Sequence, residues 1–239
     1  MSEPSVFPLA LSLRSYHMLH AASKYLKKIP NQERSRQTVA AIIQASAQIM
    51  TREGPTALTT ENIARVAGVS VGSIYQYFET KDAIILAMMM EIIAGFDRRV
   101  RELTQQYPPG SVDLHALAPG IVDALLALHW DSPEAFGALF EYMALQGHLQ
   151  AVESVIRELE AWTAAFLVEQ GFVSEELAEI RARSLVHGIA AIVRTTIRYA
   201  PQTLRDDRFR RELERLLFVL IFAESPLSDD AKKEEAPAP

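Results

Sequence analysis

The 239-residue chain contains no cysteine, which excludes disulfides and thiol chemistry and suits a reducing compartment. It has no run approaching the ~18 uninterrupted apolar residues of a membrane span, so it reads as soluble. The apolar run from Phe7 to Leu13 is short, and Glu3 stands where an export signal needs basic residues. A cytoplasmic location is expected. No Gly-rich phosphate loop follows a strand, and neither H-x-x-x-H, H-E-x-x-H nor G-x-S-x-G occurs. His115, His129, His148 and His187 are scattered singly, so no metal site, cofactor or enzymatic activity is expected.

What is present is a chain with 49% apolar residues, enough to bury a substantial core in one or two domains. Its net charge of −6 is unevenly divided. Residues 1–81 hold nine Lys/Arg and five Asp/Glu, net +4, which leaves fifteen against twenty-five, net −10, for the remainder. A basic end on an acidic body suits contact with a polyanion at that end.

The most informative stretch is Leu58–Lys81, LTTENIARVAGVSVGSIYQYFETK. Thr59 is a good N-cap for a first short helix whose apolar face is Ile63, Ala64 and Ala67. Gly68 can take the left-handed conformation that ends it, with Val69 packed in the turn. Ser70 caps a second helix, Val71 to Phe78, in which Ile74 and Phe78 share one face and plug the core. Val71, Gly72, Ser73, Tyr75, Gln76 and Tyr77 are left mostly on the open side. Gly72 weakens the helix but removes a side chain where something large can approach. Two helices at a Gly-containing turn form a helix-turn-helix, whose second helix enters the DNA major groove.

The pattern T-x-x-I-A-x-x-A-G-V-S-x-G-S-I-Y-x-Y-F-x-x-K, carried by Thr60, Ile63, Ala64, Ala67–Ser70, Gly72–Tyr75, Tyr77, Phe78 and Lys81, resembles the DNA-binding segment of the tetracycline-repressor (TetR) family. The resemblance implies an all-α protein: a three-helix DNA-binding domain joined by a long helix to an all-helical ligand-binding and dimerisation domain. The expected divisions are an N-terminal extension (1–33), a DNA-binding domain (34–81), an effector and dimerisation domain (82–224) and a disordered tail (225–239).

Along the chain, residues 1–33 read either as a flexible tail or as a basic arm, with Lys24, Lys27 and Lys28 before Pro30. A helix over Ser35–Glu53 carries Val39, Ile42, Ile43, Ala47 and Met50 at helical spacing. Lys81 to about Gln106 predicts a long helix with a broad apolar stripe through Ile84, Met88, Ile92, Phe96, Val100 and Leu103, ended by Pro108-Pro109-Gly110. Pro119 must kink or begin the next helix. Further helices are expected from Pro133 to Gln146, Leu149 to Gln170, and Ser174 (as cap) to Tyr199. The last runs from Asp206 to Ala223.

Sorted by what each side chain can do, Thr60, Tyr77, Lys81 and Arg36 suit phosphate, while Ser70, Val71, Ser73, Tyr75 and Gln76, around Gly72, suit base edges. Gln76 is the candidate reader of adenine, and Val71 can touch a thymine methyl. By resemblance, an effector pocket follows the linker helix. Its candidate lining is Phe96, His129, Trp130, Phe136, Phe140, Met143, Trp162, Phe166, His187 and Arg194, with His187 and Arg194 on one face as a possible anion site. Phe209, Leu213, Leu216 and Leu220 recur at bundle spacing, and with Gly188, Ala191 and Thr195 they are, by the same resemblance, the candidate dimer interface; packing of both helices inside one subunit is the alternative. The expected function is that of a homodimeric repressor of an inverted-repeat DNA operator, released by a small hydrophobic or aromatic effector. An all-helical binding or scaffold protein is the alternative, though Leu58–Lys81 has no reason to look as it does there.

Overall fold

The structure is a computed structural model and describes residues 23–128 and 133–222. The readings placed on residues 1–22, on His129 and Trp130 and on the tail fall outside these residues. Among the described residues there are nine α-helices and no strand. They are α1 (Glu33–Glu53), α2 (Thr60–Ala67), α3 (Val71–Tyr77), α4 (Lys81–Thr104), α5 (Leu114–Ala127), α6 (Pro133–Leu145), α7 (Leu149–Glu169), α8 (Glu175–Tyr199) and α9 (Asp207–Phe222). No described helix is long and apolar enough to cross a membrane.

Local chemistry sets the boundaries in the first domain. The Thr59 hydroxyl accepts the Asn62 N–H at 3.1 Å, and Ser70 accepts the Ser73 N–H at 3.0 Å. Thr80 likewise accepts the Ala83 N–H at 3.1 Å, opening α4. Gly68 sits at φ 67°, ψ 31°, the left-handed corner that lets α3 leave α2 at a sharp angle. Ile63, Ile74 and Phe78 are fully buried, closing the three helices on one core.

Four readings are corrected in detail. Residues 23–33 are not a free extension: a short 3-10 turn spans Ser23–Tyr25, Tyr25 and Leu26 pack on the core, and Pro30 is buried. The Lys27 N–H donates to the Tyr77 carbonyl at 2.8 Å, so this segment occupies an open carbonyl at the end of α3. Of the two readings of Pro119, a helix start is excluded, since Asp113 caps α5 by accepting the His115 N–H at 2.9 Å and Pro119 lies inside, the position at which a proline kinks a helix. Ser174 holds the cap position of α8, but its hydroxyl makes no capping bond. Leu213 does not face outward: with Leu217 and Ile221 it is buried against Leu185, Ile189, Val193 and Ile197 of α8, inside the chain's own core.

The helix α4 joins the two halves. Over 24 residues it extends about 36 Å. Ile84–Met90 are all buried, and their core runs continuously from Val39, Ile42 and Phe78 into Leu139 and Met143 of α6 and Val152 of α7. The three methionines are therefore packing. A second core joins α5, α8 and α9. Directly after Met90 comes Glu91, 3% exposed, whose carboxylate oxygens find no hydrogen-bond partner among the described residues. Burial pushes its carboxyl up to about 7, with Arg98 pulling the other way.

This has a sign. A carboxyl whose folded pKa is raised favours folding at low pH, and that contribution is lost as pH rises from about 4.5 through about 7. Glu91→Gln is expected to change stability little at pH 4 and to raise it by up to ~3 kcal/mol at pH 8. Urea unfolding at both pH values measures this, and an equal effect at the two would contradict it.

Candidate functional site

The outward surface of α3 is assembled by the two buried plugs beneath it. With Ile74 and Phe78 at 0% exposure, helical geometry turns Gly72, Tyr75 and Gln76 out to solvent. Tyr75 is 47% exposed, so it is not a core ring. Tyr75 and Gln76 make no side-chain hydrogen bond among the described residues, so their polar groups are free to engage a partner. A Cβ added at Gly72 would meet only the Ser70 hydroxyl, at 3.7 Å, and the residue lies within regular helix. Neither packing nor backbone strain inside the protein requires glycine there.

Other candidates are more occupied. The hydroxyls of Ser70 and Ser73 bond each other at 2.8 Å while Ser70 caps the helix. Val71 and Tyr77 are half-buried against the core. Thr60 bonds Glu61 at 3.3 Å, and Arg36 donates to the Asn31 carbonyl at 3.2 Å beside Glu33. The Lys81 ammonium lies 5.4 Å from the centre of the Tyr142 ring, so reaching a phosphate means leaving that ring. Lys24, Lys27 and Lys28 are exposed close to the end of α3 and extend its cationic flank, a feature visible only once residues 23–33 are seen docked.

Sequence reasoning missed the junction at the start of α4. The Tyr142 hydroxyl donates to Asp82 Oδ1 at 2.7 Å, and His148 Nε2 lies 3.5 Å from Asp82 Oδ2. Burial, with the bond to Asp82 and its charge adding, pushes the Tyr142 hydroxyl up to about 12. These residues are sixty positions apart, and no local pattern announces the pairing.

The second half contains an apolar cavity of about 200 Å³ between α4, α5, α7, α8 and α9. Phe96, Trp162, Phe166, His187 and Arg194 line it, as the sequence suggests, and so do Val100, which the sequence marks only as part of an apolar stripe, and Thr104, Leu117, Ile121, Leu125, Leu159 and Leu185. Met143 does not line it: it is fully buried in the core under the DNA-binding helices. Phe136 and Phe140 line a separate hollow between α6 and α8. His187 and Arg194 do not form a joint anion site, because His187 Nε2 is bonded to Glu160 across α7 and α8. No cluster of metal-ligating side chains occurs among the described residues.

On the outer side of α8 and α9, Leu177, Ile180 and Tyr199 are 41%, 64% and 76% exposed, and Val219 and Phe222 are 55% and 48% exposed. Ala191 and Thr195 are exposed on the same helical stripe, and a Cβ at Gly188 would lie 3.9 Å from Leu220. Phe209, Leu216 and Leu220 are only half-buried, in contrast to Leu213.

Residues 42–88 match the model for bacterial regulatory proteins of the tetR family, and residues 113–219 match the tetracyclin repressor-like C-terminal domain. No curated protein is significantly similar in sequence. Among solved structures, a transcriptional regulator from Rhodococcus sp. RHA1 is 18% identical with a TM-score of 0.59, over 78% of this chain and 95% of that one. FadR from Thermus thermophilus, a TetR-family transcriptional repressor solved with lauroyl-CoA, is 22% identical with a TM-score of 0.58, over 84% and 98%. The fatty acid degradation regulator FadR from Bacillus halodurans is 14% identical with a TM-score of 0.57, over 81% and 97%. At these identities the structures share the fold, while the two domain matches assign the family: the chain belongs to the tetR family of bacterial regulatory proteins, DNA-binding transcription regulators rather than enzymes.

Proposed function

We propose that the chain acts as a homodimeric repressor that reads an inverted-repeat operator and is released by a small apolar effector. The observation that carries this reading is the unoccupied polar surface of α3 around Gly72, Tyr75 and Gln76, presented by a core that extends into an effector-sized cavity. Gln76 reads a base edge. Lys81 contacts phosphate, and Lys24, Lys27 and Lys28 extend the backbone contact beyond the end of α3.

One such helix reaches few bases, so tight specific binding needs a second copy held ~34–36 Å away along the duplex. The exposed apolar stripe on α8 and α9 supports a two-fold pairing through Ala191, Thr195 and their neighbours. Effector binding acts through α4, whose first half is embedded under the DNA-binding helices and whose Phe96, Val100 and Thr104 form a cavity wall. A ligand that prefers one tilt of α4 changes the spacing of the two recognition helices by its differential affinity.

Gel retardation of the DNA upstream of the protein's own gene, with sedimentation of the free protein, tests the whole reading. A monomer, or no retardation at low ionic strength, would overturn it. Lys81→Ala is expected to weaken binding to all sequences alike and to reduce the salt slope by about one. Gln76→Ala should instead relax preference at one base position by ~1–3 kcal/mol, read from selection of bound sequences out of random DNA. Ala191→Arg places a charge on the proposed pairing face. Sedimentation should then give a monomer, with operator retardation lost.

A further inference from the structure

Arg194 is shared by the linings of two hollows. It lines the apolar cavity of about 200 Å³, and it also lines a wider hollow of about 580 Å³ between α6 and the C-terminal half of α8. The second hollow is walled by Phe136, Phe140, Tyr199, Glu141 and Arg198. The two spaces differ in chemistry. The first offers hydrocarbon on nearly every side, and the second offers aromatic faces and cations.

Of the described side chains lining the apolar cavity, only His187 and Arg194 carry an ionisable nitrogen. His187 is matched by Glu160, whose own side chain is 14% exposed. Arg198, in the outer hollow, pairs with Glu141 at 3.2 Å. Arg194 pairs with no carboxylate among the described residues, and its guanidinium lies 5.2 Å from the Phe140 ring centre. It is half-buried, and burial lowers its pKa from the ordinary value, a direct sign that the site disfavours the bare charge. An arginine cannot relieve this by losing its proton. A cation partly removed from water, stacked on a ring and without a counter-charge, is completed by an anion that presents two oxygens to its fork.

The apolar cavity would reject that anion, so the charged end must lie at Arg194 and the remainder of the molecule must be hydrocarbon. We propose that the effector is an amphipathic anion: an aliphatic chain in the inner cavity, with its carboxylate or phosphorylated headgroup held by Arg194 in the hollow between α6 and α8. This rests on the reading of the inner cavity as the effector site. The shared chemistry is a long acyl chain with anionic oxygen in its polar part: the terminal carboxylate of a free fatty acid, or the phosphates that a coenzyme A thioester carries beyond its neutral thioester and pantetheine arm.

The test is isothermal titration of the full chain with laurate, lauroyl-CoA and 1-dodecanol, repeated with Arg194→Gln and Arg194→Lys. Circular-dichroism melting checks that each variant folds. The expected result is that one anion binds at least tenfold more tightly than the alcohol. Arg194→Gln should lose roughly tenfold to a hundredfold for that anion and little for the alcohol. Arg194→Lys, which keeps the charge without the fork, should fall between. Which of the two anions binds more tightly identifies the source.

If the alcohol binds and releases DNA while neither anion gains over it, the apolar effector site stands and the anion proposal is overturned. An Arg194→Gln variant that folds and keeps the full preference for the anion also overturns it. If none of the three ligands binds, the anion proposal is overturned, while the repressor reading is decided separately by its own retardation and sedimentation assays.

Discussion

Everything in this molecule depends on α4 being encased along its first half. From Ile84 to Met90 every residue is buried, so the helix is gripped on all sides rather than along one stripe. Its other half forms part of a cavity wall through Phe96, Val100 and Thr104. Packed interiors have few voids and deform little, so under the proposed function a displacement at the cavity end carries α1–α3 with the rod instead of being absorbed locally. The bond from Tyr142 to Asp82 fastens the same rod to α6, adding a second attachment close to the recognition helix.

How much of this was legible in the sequence follows from how local each signal is. Thr59, Ser70 and Gly68 announce their turns because a cap is settled within four residues, and all three take the expected role. The plugs Ile74 and Phe78 follow from helical periodicity alone. Periodicity cannot separate a filled core from a lined cavity, which is why Val100 reads as one more position of an apolar stripe and Met143 reads as lining. Leu213 shows the same limit. Its seam spacing is real, but the seam faces α8 of its own chain, and only the three-dimensional arrangement says which helix fills it. The docking of residues 23–33 rests on one backbone bond to Tyr77 and on packing by Tyr25 and Leu26, none of which leaves a periodic trace.

The helix α8 carries two faces with different obligations. One presents His187 and Arg194 toward the cavity; the other presents Leu177, Ile180 and Tyr199 to solvent. Under the proposed function, effector and partner subunit therefore share one rigid element, and a shift of α8 on ligand binding is felt at the subunit seam as well as at α4. Two routes from one site would make the response of the pair steeper than either route alone.

Gly72 sets stability and recognition against each other. Nothing within the protein needs a glycine at that position, and alanine there would gain roughly 0.5–1 kcal/mol of helix stability. A sequence optimised for folding alone would not keep it. Under the proposed function, the residue marks a place where the duplex, rather than the fold, dictates the side chain. The same freedom makes position 72, with Tyr75 and Gln76, the cheapest set at which to redirect this scaffold to a different base sequence.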